Sequence, residues 1–124
     1  MSNNLSLYKE NLNNLTPLEI TLRCHSRAID FIQDSIDSLI KDKNKKDFIH
    51  NLNNALKILE SFMYSLEIVS KDGSINEAAH QSFMLYEFIT RTLRNGMKNF
   101  EVNNFDKCCE FLQELYTAYS NMKF

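Results

Sequence analysis

With 124 residues and a formal net charge of −2, the chain is long enough to bury a core as one domain. It is also too close to neutral to lay a basic footprint on nucleic acid or on an anionic membrane surface. Two glycines and one proline favour long helices over sharp turns, and no apolar run approaches the length of a membrane span.

Residues 1–15, MSNNLSLYKENLNNL, contain no continuous apolar stretch and so do not read as a signal peptide. Leu5, Tyr8, Leu12 and Leu15 are spaced three, four and three, which is a helical period. Asn and Ser are frequent there and propensity is poor, so the segment reads as a marginal amphipathic helix that orders only against an apolar surface. Thr16-Pro17-Leu18-Glu19 then marks a helix start. Thr16 suits the N-cap, Pro17 the first helical position, and Glu19 completes a capping box.

From there Leu18, Leu22, His25, Ile29, Ile32, Ile36 and Leu39 alternate by fours and threes, a seam in which only His25 is polar. It predicts a first helix from Pro17 to about Lys41. The charged stretch KDKNKKD predicts a short connection. A second seam runs through Phe48 or Ile49, Leu52, Leu56, Leu59, Met63 and Leu66, and Ser70 to Ser74 (SKDGS) closes it, with Gly73 placed for a left-handed turn. The third seam reads Ile75, Ala79, Ser82, Tyr86, Ile89, Leu93 and Met97; the fourth reads Phe105, Cys108, Leu112, Leu115, Tyr119 and Met122. Four such segments with short loops predict an all-α fold, an antiparallel up-down-up-down four-helix bundle over residues 16–124, with residues 1–15 as a separate N-terminal segment.

The candidates for chemistry are weak. Cys24 and His25 are neighbours, but adjacent helical residues point about 100° apart and no orienting acid is placed beside them. Glu77 and His80 have the Glu-x-x-His spacing of di-iron bundles, yet there is one copy, off the seam, and it reads as a solvated first turn. His50 stands on a polar flank, Glu110 and Glu114 read as an exposed face beside Lys107, and Arg91 and Arg94 read as partners for nearby acids. The three cysteines, Cys24, Cys108 and Cys109, have no CxxC spacing and read as reduced thiols in a cytosolic chain. No catalytic residue, metal site or cofactor is expected.

The apolar surplus is more informative. The first helix has a second line at Ile20, Cys24, Ala28 and Phe31, the third holds FMLYEFI (Phe83 to Ile89), and the fourth adds Phe111 and Tyr116 off its seam. One reading is a wide core. The other is an apolar groove for a helical partner, with Ile20, Cys24, Phe31, Leu85, Phe88 and Phe111 as its candidate lining.

The order and separation of these features resemble the flagellar secretion chaperone FliS family along nearly the whole chain. Tyr8 is similar to the tyrosine of that family's N-terminal segment, and Thr16-Pro17-Leu18-Glu19 to its Ser/Thr-Pro-x-Glu helix start. Leu85-Tyr86-Glu87-Phe88-Ile89 with Arg91 and Leu93 resembles its Leu-Tyr-Asp-Tyr-x-x-Arg-x-Leu segment. Phe111 to Leu115 with Ala118-Tyr119 resembles its terminal Leu-x-x-Ala-Trp run. The chain departs from the pattern at Cys24-His25-Ser26-Arg27, where Leu-Tyr-Asp-Gly is usual, at Gly96-Met97 in place of Ala-Asn, and at Tyr119 in place of Trp.

The resemblance implies a non-enzymatic cytosolic export chaperone that holds the disordered C-terminal segment of flagellin as short helices and prevents premature polymerisation. It also implies an N-terminal lid, here carried by Leu5, Tyr8, Leu12 and Leu15, which covers part of the groove until a client displaces it. A co-chaperone is left open, and the chain is expected as a monomer or weak homodimer. The alternative is a bundle of the same fold that serves as adaptor for a different helical partner or associates with itself.

Overall fold

The structure is a computed structural model that describes residues 15–121. Four helices fill it: α1 (Pro17–Ile40), α2 (Lys45–Ser65), α3 (Glu77–Asn99) and α4 (Phe105–Ser120). Leu5, Tyr8, Leu12 and Met122 lie outside the described residues.

The capping box at the start of α1 is formed. The Glu19 amide donates to Thr16 Oγ1 at 3.1 Å, and the Glu19 carboxylate accepts from the Thr16 amide at 3.4 Å. The charged connection is shorter than its composition suggested, because Lys45, Lys46 and Asp47 belong to α2. Asn44 caps that helix by accepting from the Asp47 amide at 3.0 Å, and satisfying this orphan donor recruits the three polar residues into the first turn. Between α2 and α3 the chain makes a small hairpin. Gly73 takes φ +87°, the Asp72 carboxylate accepts from the Ser74 amide and hydroxyl at 3.0 and 2.6 Å, and Val69 pairs with Ile75 in one antiparallel bridge. Ile75, expected to open the third seam, is therefore outside the helix and 61% exposed, and α3 starts two residues later under the Asn76 cap.

The helices form a four-cornered ring, with α1 against α2 and α4, and α3 against α2 and, more sparsely, α4. Neighbours are antiparallel. Ser38 and Asn51 meet near the α1–α2 connection while His25 and Phe62 meet at the far end, and Phe48, from the first turn of α2, contacts Phe100, just past α3. No helix among the described residues is long and apolar enough to cross a membrane.

The core is drawn from all four helices, with Ile32, Phe48, Leu52, Leu59, Tyr86, Ile89, Leu93, Phe105 and Leu112 fully buried. On α1 the seam is displaced from the expected line. His25 and Ile32 are buried, but Ile29, Ile36 and Leu39 are half-buried, and Ala28, Phe31, Ser35 and Ser38 complete the inner face. The reason is that α1 must face two neighbours at once, so its core stripe falls between the two apolar lines read from the sequence.

Candidate functional site

Where α3 and α4 part, they leave an open groove of about 580 Å³ lined by Gln81, Met84, Leu85 and Phe88 from α3 and by Asn104, Lys107 and Phe111 from α4. Helical spacing explains the α3 side: positions 81, 84, 85 and 88 stand on one face, turned away from the inward Tyr86, Ile89 and Leu93. Phe88 and Phe111 meet edge to face across the gap, their centroids 5.6 Å apart at 73°, and form an aromatic contact between the two walls. Met84 is 51% exposed, so the groove offers apolar area that the bundle itself leaves open to solvent.

Of the six residues expected in the groove, the structure brings Leu85, Phe88 and Phe111 together there. Ile20 and Cys24 are half-buried on α1, which stands across the ring from α3, and do not line it. Phe31 is corrected: it is 3% exposed, packed into the core with the Arg27 guanidinium 4.9 Å from its ring centre. Sequence reasoning missed Met84, Gln81, Asn104 and Lys107. Met84 was within reach, since it sits four residues before Phe88 on the same helical face. Asn104 and Lys107 are polar rim positions that carry no apolar signal.

At the other side of Leu85, Tyr86 is buried and bonded to His25. The His25 Nδ1 faces the Thr21 carbonyl at 2.8 Å and Nε2 faces the Tyr86 hydroxyl at 2.5 Å. A carbonyl only accepts, so the proton is on Nδ1 and Nε2 accepts from Tyr86. Phe62 and Tyr119 close the pocket with ring centroids 4.8 and 5.2 Å from the imidazole, so each of the four helices contributes to it. Burial holds the His25 pKa below its ordinary value, with the Thr21 hydrogen bond opposing, and burial raises that of Tyr86. The imidazole is neutral and fully bonded, a core histidine with no free nitrogen for chemistry.

The other candidates separate. Glu77 and His80 are exposed, and among the described residues no group of acids, histidines or cysteines could hold a metal ion. Cys108 is buried, its thiol pushed up to about 12, and that of Cys109 up to about 11, chiefly by desolvation. Arg91 pairs with Glu87 at 3.6 Å and Arg94 with Glu60 at 2.6 Å, as expected of surface partners. A second hollow of about 560 Å³ follows the outer face of α4 past Glu110, Gln113, Glu114, Thr117, Ala118 and Asn121, where the two carboxylates and the amide and hydroxyl groups make the lining more polar than that of the α3/α4 groove.

Residues 1–123 match the family model described as flagellar protein FliS. Comparison with curated proteins finds no match.

Proposed function

The chain belongs to the flagellar protein FliS family and is accordingly a flagellar export chaperone with flagellin-type partners; within that role we propose that the α3/α4 groove takes the C-terminal segment of flagellin. The observation that carries this reading is the open apolar lining of Met84, Leu85, Phe88 and Phe111. A disordered client that lays one face of a short amphipathic helix there trades ordering entropy for buried apolar area. Anchors three or four residues apart on such a helix suit a groove of this kind, and holding that segment keeps the client from polymerising before export.

Residues 1–15 act as a tethered lid ahead of the 16–124 bundle, in the cytoplasm. Leu15 is half-buried where the chain enters α1. A tether of that length presents Leu5, Tyr8 and Leu12 at an effective concentration on the order of mM, so a client gains the surface only by outcompeting the segment.

Titration of the full chain with a peptide of the flagellin C-terminal segment tests the assignment. Saturable binding that Met84→Asp abolishes is expected; no binding at high micromolar peptide overturns it. In the same assay a chain lacking residues 1–15 binds more tightly, and unchanged or weaker binding overturns the lid. The second reading, an adaptor for another helical partner or a self-associating bundle, is favoured instead if the peptide fails and light scattering shows a stable dimer.

A further inference from the structure

The groove and the buried imidazole meet on α3. From Glu77 to Leu85 each residue of that helix is exposed or half-buried, and Tyr86 is the first to be fully buried. The α3 wall of the groove, Gln81 to Phe88, occupies this same loosely held half. Tyr86 is therefore its innermost fixed point.

What fixes Tyr86 is directional. Ile89 and Leu93, further along the helix, pack through apolar contact alone, which tolerates rotation, whereas the Tyr86 hydroxyl donates to His25 Nε2 at 2.5 Å. That bond spans the diagonal of the ring from α1 to α3, two helices that are not packing neighbours. His25 is itself immobilised by the Thr21 carbonyl at 2.8 Å and by the rings of Phe62 and Tyr119. These described groups around it, one from each helix, are all uncharged.

We propose that His25 is a positioning residue for the groove: by accepting the Tyr86 hydroxyl it holds α3 in the rotation that presents Leu85 and Phe88 to a helical client. A helix turns as a rigid body, so any roll that carries the Tyr86 hydroxyl towards another acceptor swings Leu85 and Phe88 by the same angle. Tyr119 also reaches Tyr86 through a side-chain hydrogen bond, so a hydroxyl that loses the His25 acceptor is drawn towards Tyr119. In Tyr86→Phe the stranded group is His25 Nε2, and α3 loses its directional tie to α1. Either way the helix is released to roll. Phe88 is also edge-on to Phe111, so the displacement alters both walls. The proposal rests on the reading of this groove as the client site, but the rotation is measured without a client.

The test uses the full chain with three substitutions. His25→Phe fills the pocket without an acceptor, Tyr86→Phe removes only the donor, and His25→Gln returns an acceptor to the site. Methyl NMR signals of Met84 and Leu85 are expected to shift in the two Phe variants while those of Leu52 and Met63 stay in place, and His25→Gln is expected to restore them. Affinity for the flagellin C-terminal peptide, measured where each variant is folded, is expected to fall by about fivefold or more in the Phe variants and to recover in His25→Gln. Unmoved groove methyls, unchanged affinity, or a folded His25→Gln that fails to rescue either signal overturns the proposal. If His25→Phe does not fold, Tyr86→Phe, which changes a single oxygen, decides alone. If the wild-type chain does not bind the peptide, the client reading fails while the methyl shifts still judge the positioning role.

Discussion

Gly96 and Phe105 pack so closely that a Cβ on the glycine would lie 2.5 Å from the Phe105 Cζ and 2.6 Å from the Glu101 carbonyl oxygen. The last turns of α3 are thus pressed against the first turn of α4, with the short connection folded over the contact and the Glu101 amide donating back to the Gly96 carbonyl at 3.0 Å. Away from this crossing the two helices separate, and the groove of Met84, Leu85, Phe88 and Phe111 opens between them. A missing side chain at one position sets the close approach from which the groove diverges.

Gly96→Ala separates two opposing effects. In a free helix alanine is favoured over glycine by about 1 kcal/mol. Here the added methyl meets a backbone carbonyl and the ring of a buried phenylalanine, and overpacking of that kind costs about 1–3 kcal/mol. Steric conflict is expected to win, because the carbonyl belongs to a tight connection and cannot yield as a flexible side chain would. Urea unfolding is expected to show net destabilisation of about 1–2 kcal/mol. A variant more stable than the wild type would mean that α4 shifts freely at this crossing.

Much of this architecture was legible from spacing, because burying one stripe per helix leaves a strong periodic signal. The seams of α2 and α4 are correct at Leu52, Leu56, Leu59 and Met63 and at Phe105, Cys108 and Leu112, all buried. The α1 seam was displaced because periodicity gives the direction of an apolar face but not how many neighbours share it. Ser35 and Ser38 are buried with their hydroxyls satisfied by the carbonyls of Ile32 and Asp34, a solution that only three-dimensional packing reveals. Phe31 and Phe88 look alike in sequence, both being aromatic residues beside a seam. Their fates differ because α1 is packed between two helices while α3 is loosely joined to α4. His25 was read correctly as a seam position, but its bond to Tyr86, sixty-one residues away, has no local signature.

Stability should depend on pH through His25. Its folded pKa is held below the ordinary 6.5 by burial, so the unfolded chain binds the proton more readily. The contribution is fully present above the unfolded value and declines as pH falls through about 6.5 towards the folded pKa. Asp34 acts in the opposite sense, because burial and the neighbouring Asp30 and Asp37 raise its pKa, which favours the folded state at lower pH. The informative quantity is therefore the difference between wild type and His25→Gln. That difference in unfolding free energy is expected to shrink as pH is lowered from 7.5 to about 5.5. A difference independent of pH would show that the imidazole is not held neutral.

The paired cysteines make a kinetic prediction. With thiols pushed up to about 12 at Cys108 and about 11 at Cys109, the thiolate fraction at pH 8 is very small, and Cys108 is also shut from solvent. In a Cys24→Ser background, a disulfide reagent is expected to label the native chain slowly, at a rate that follows opening of the bundle, and to label both thiols at once in denaturant. Rapid labelling of Cys108 itself, told apart from the half-buried Cys109 by peptide mapping, would place Cys108 at the surface and displace the α4 seam.

Phe31 and Met84 offer the sharpest division between holding the bundle together and holding a client. Phe31 is 3% exposed and lies among the core residues of α1, so Phe31→Ala leaves a cavity and is expected to cost about 3–5 kcal/mol. Met84 is 51% exposed on the groove face, and Met84→Asp places its carboxylate in water with little change in packing. Its effect on unfolding free energy is expected within about 0.5 kcal/mol. In the client assay the order inverts: a charge in the groove must be desolvated when an apolar helix docks, so binding is lost although the fold is intact. Folded Phe31→Ala, by contrast, keeps the groove lining of Leu85, Phe88 and Phe111 and is expected to bind nearly as the wild type does, measured at a temperature where it remains native. If Met84→Asp binds normally while folded Phe31→Ala does not, the client surface is on α1 rather than between α3 and α4.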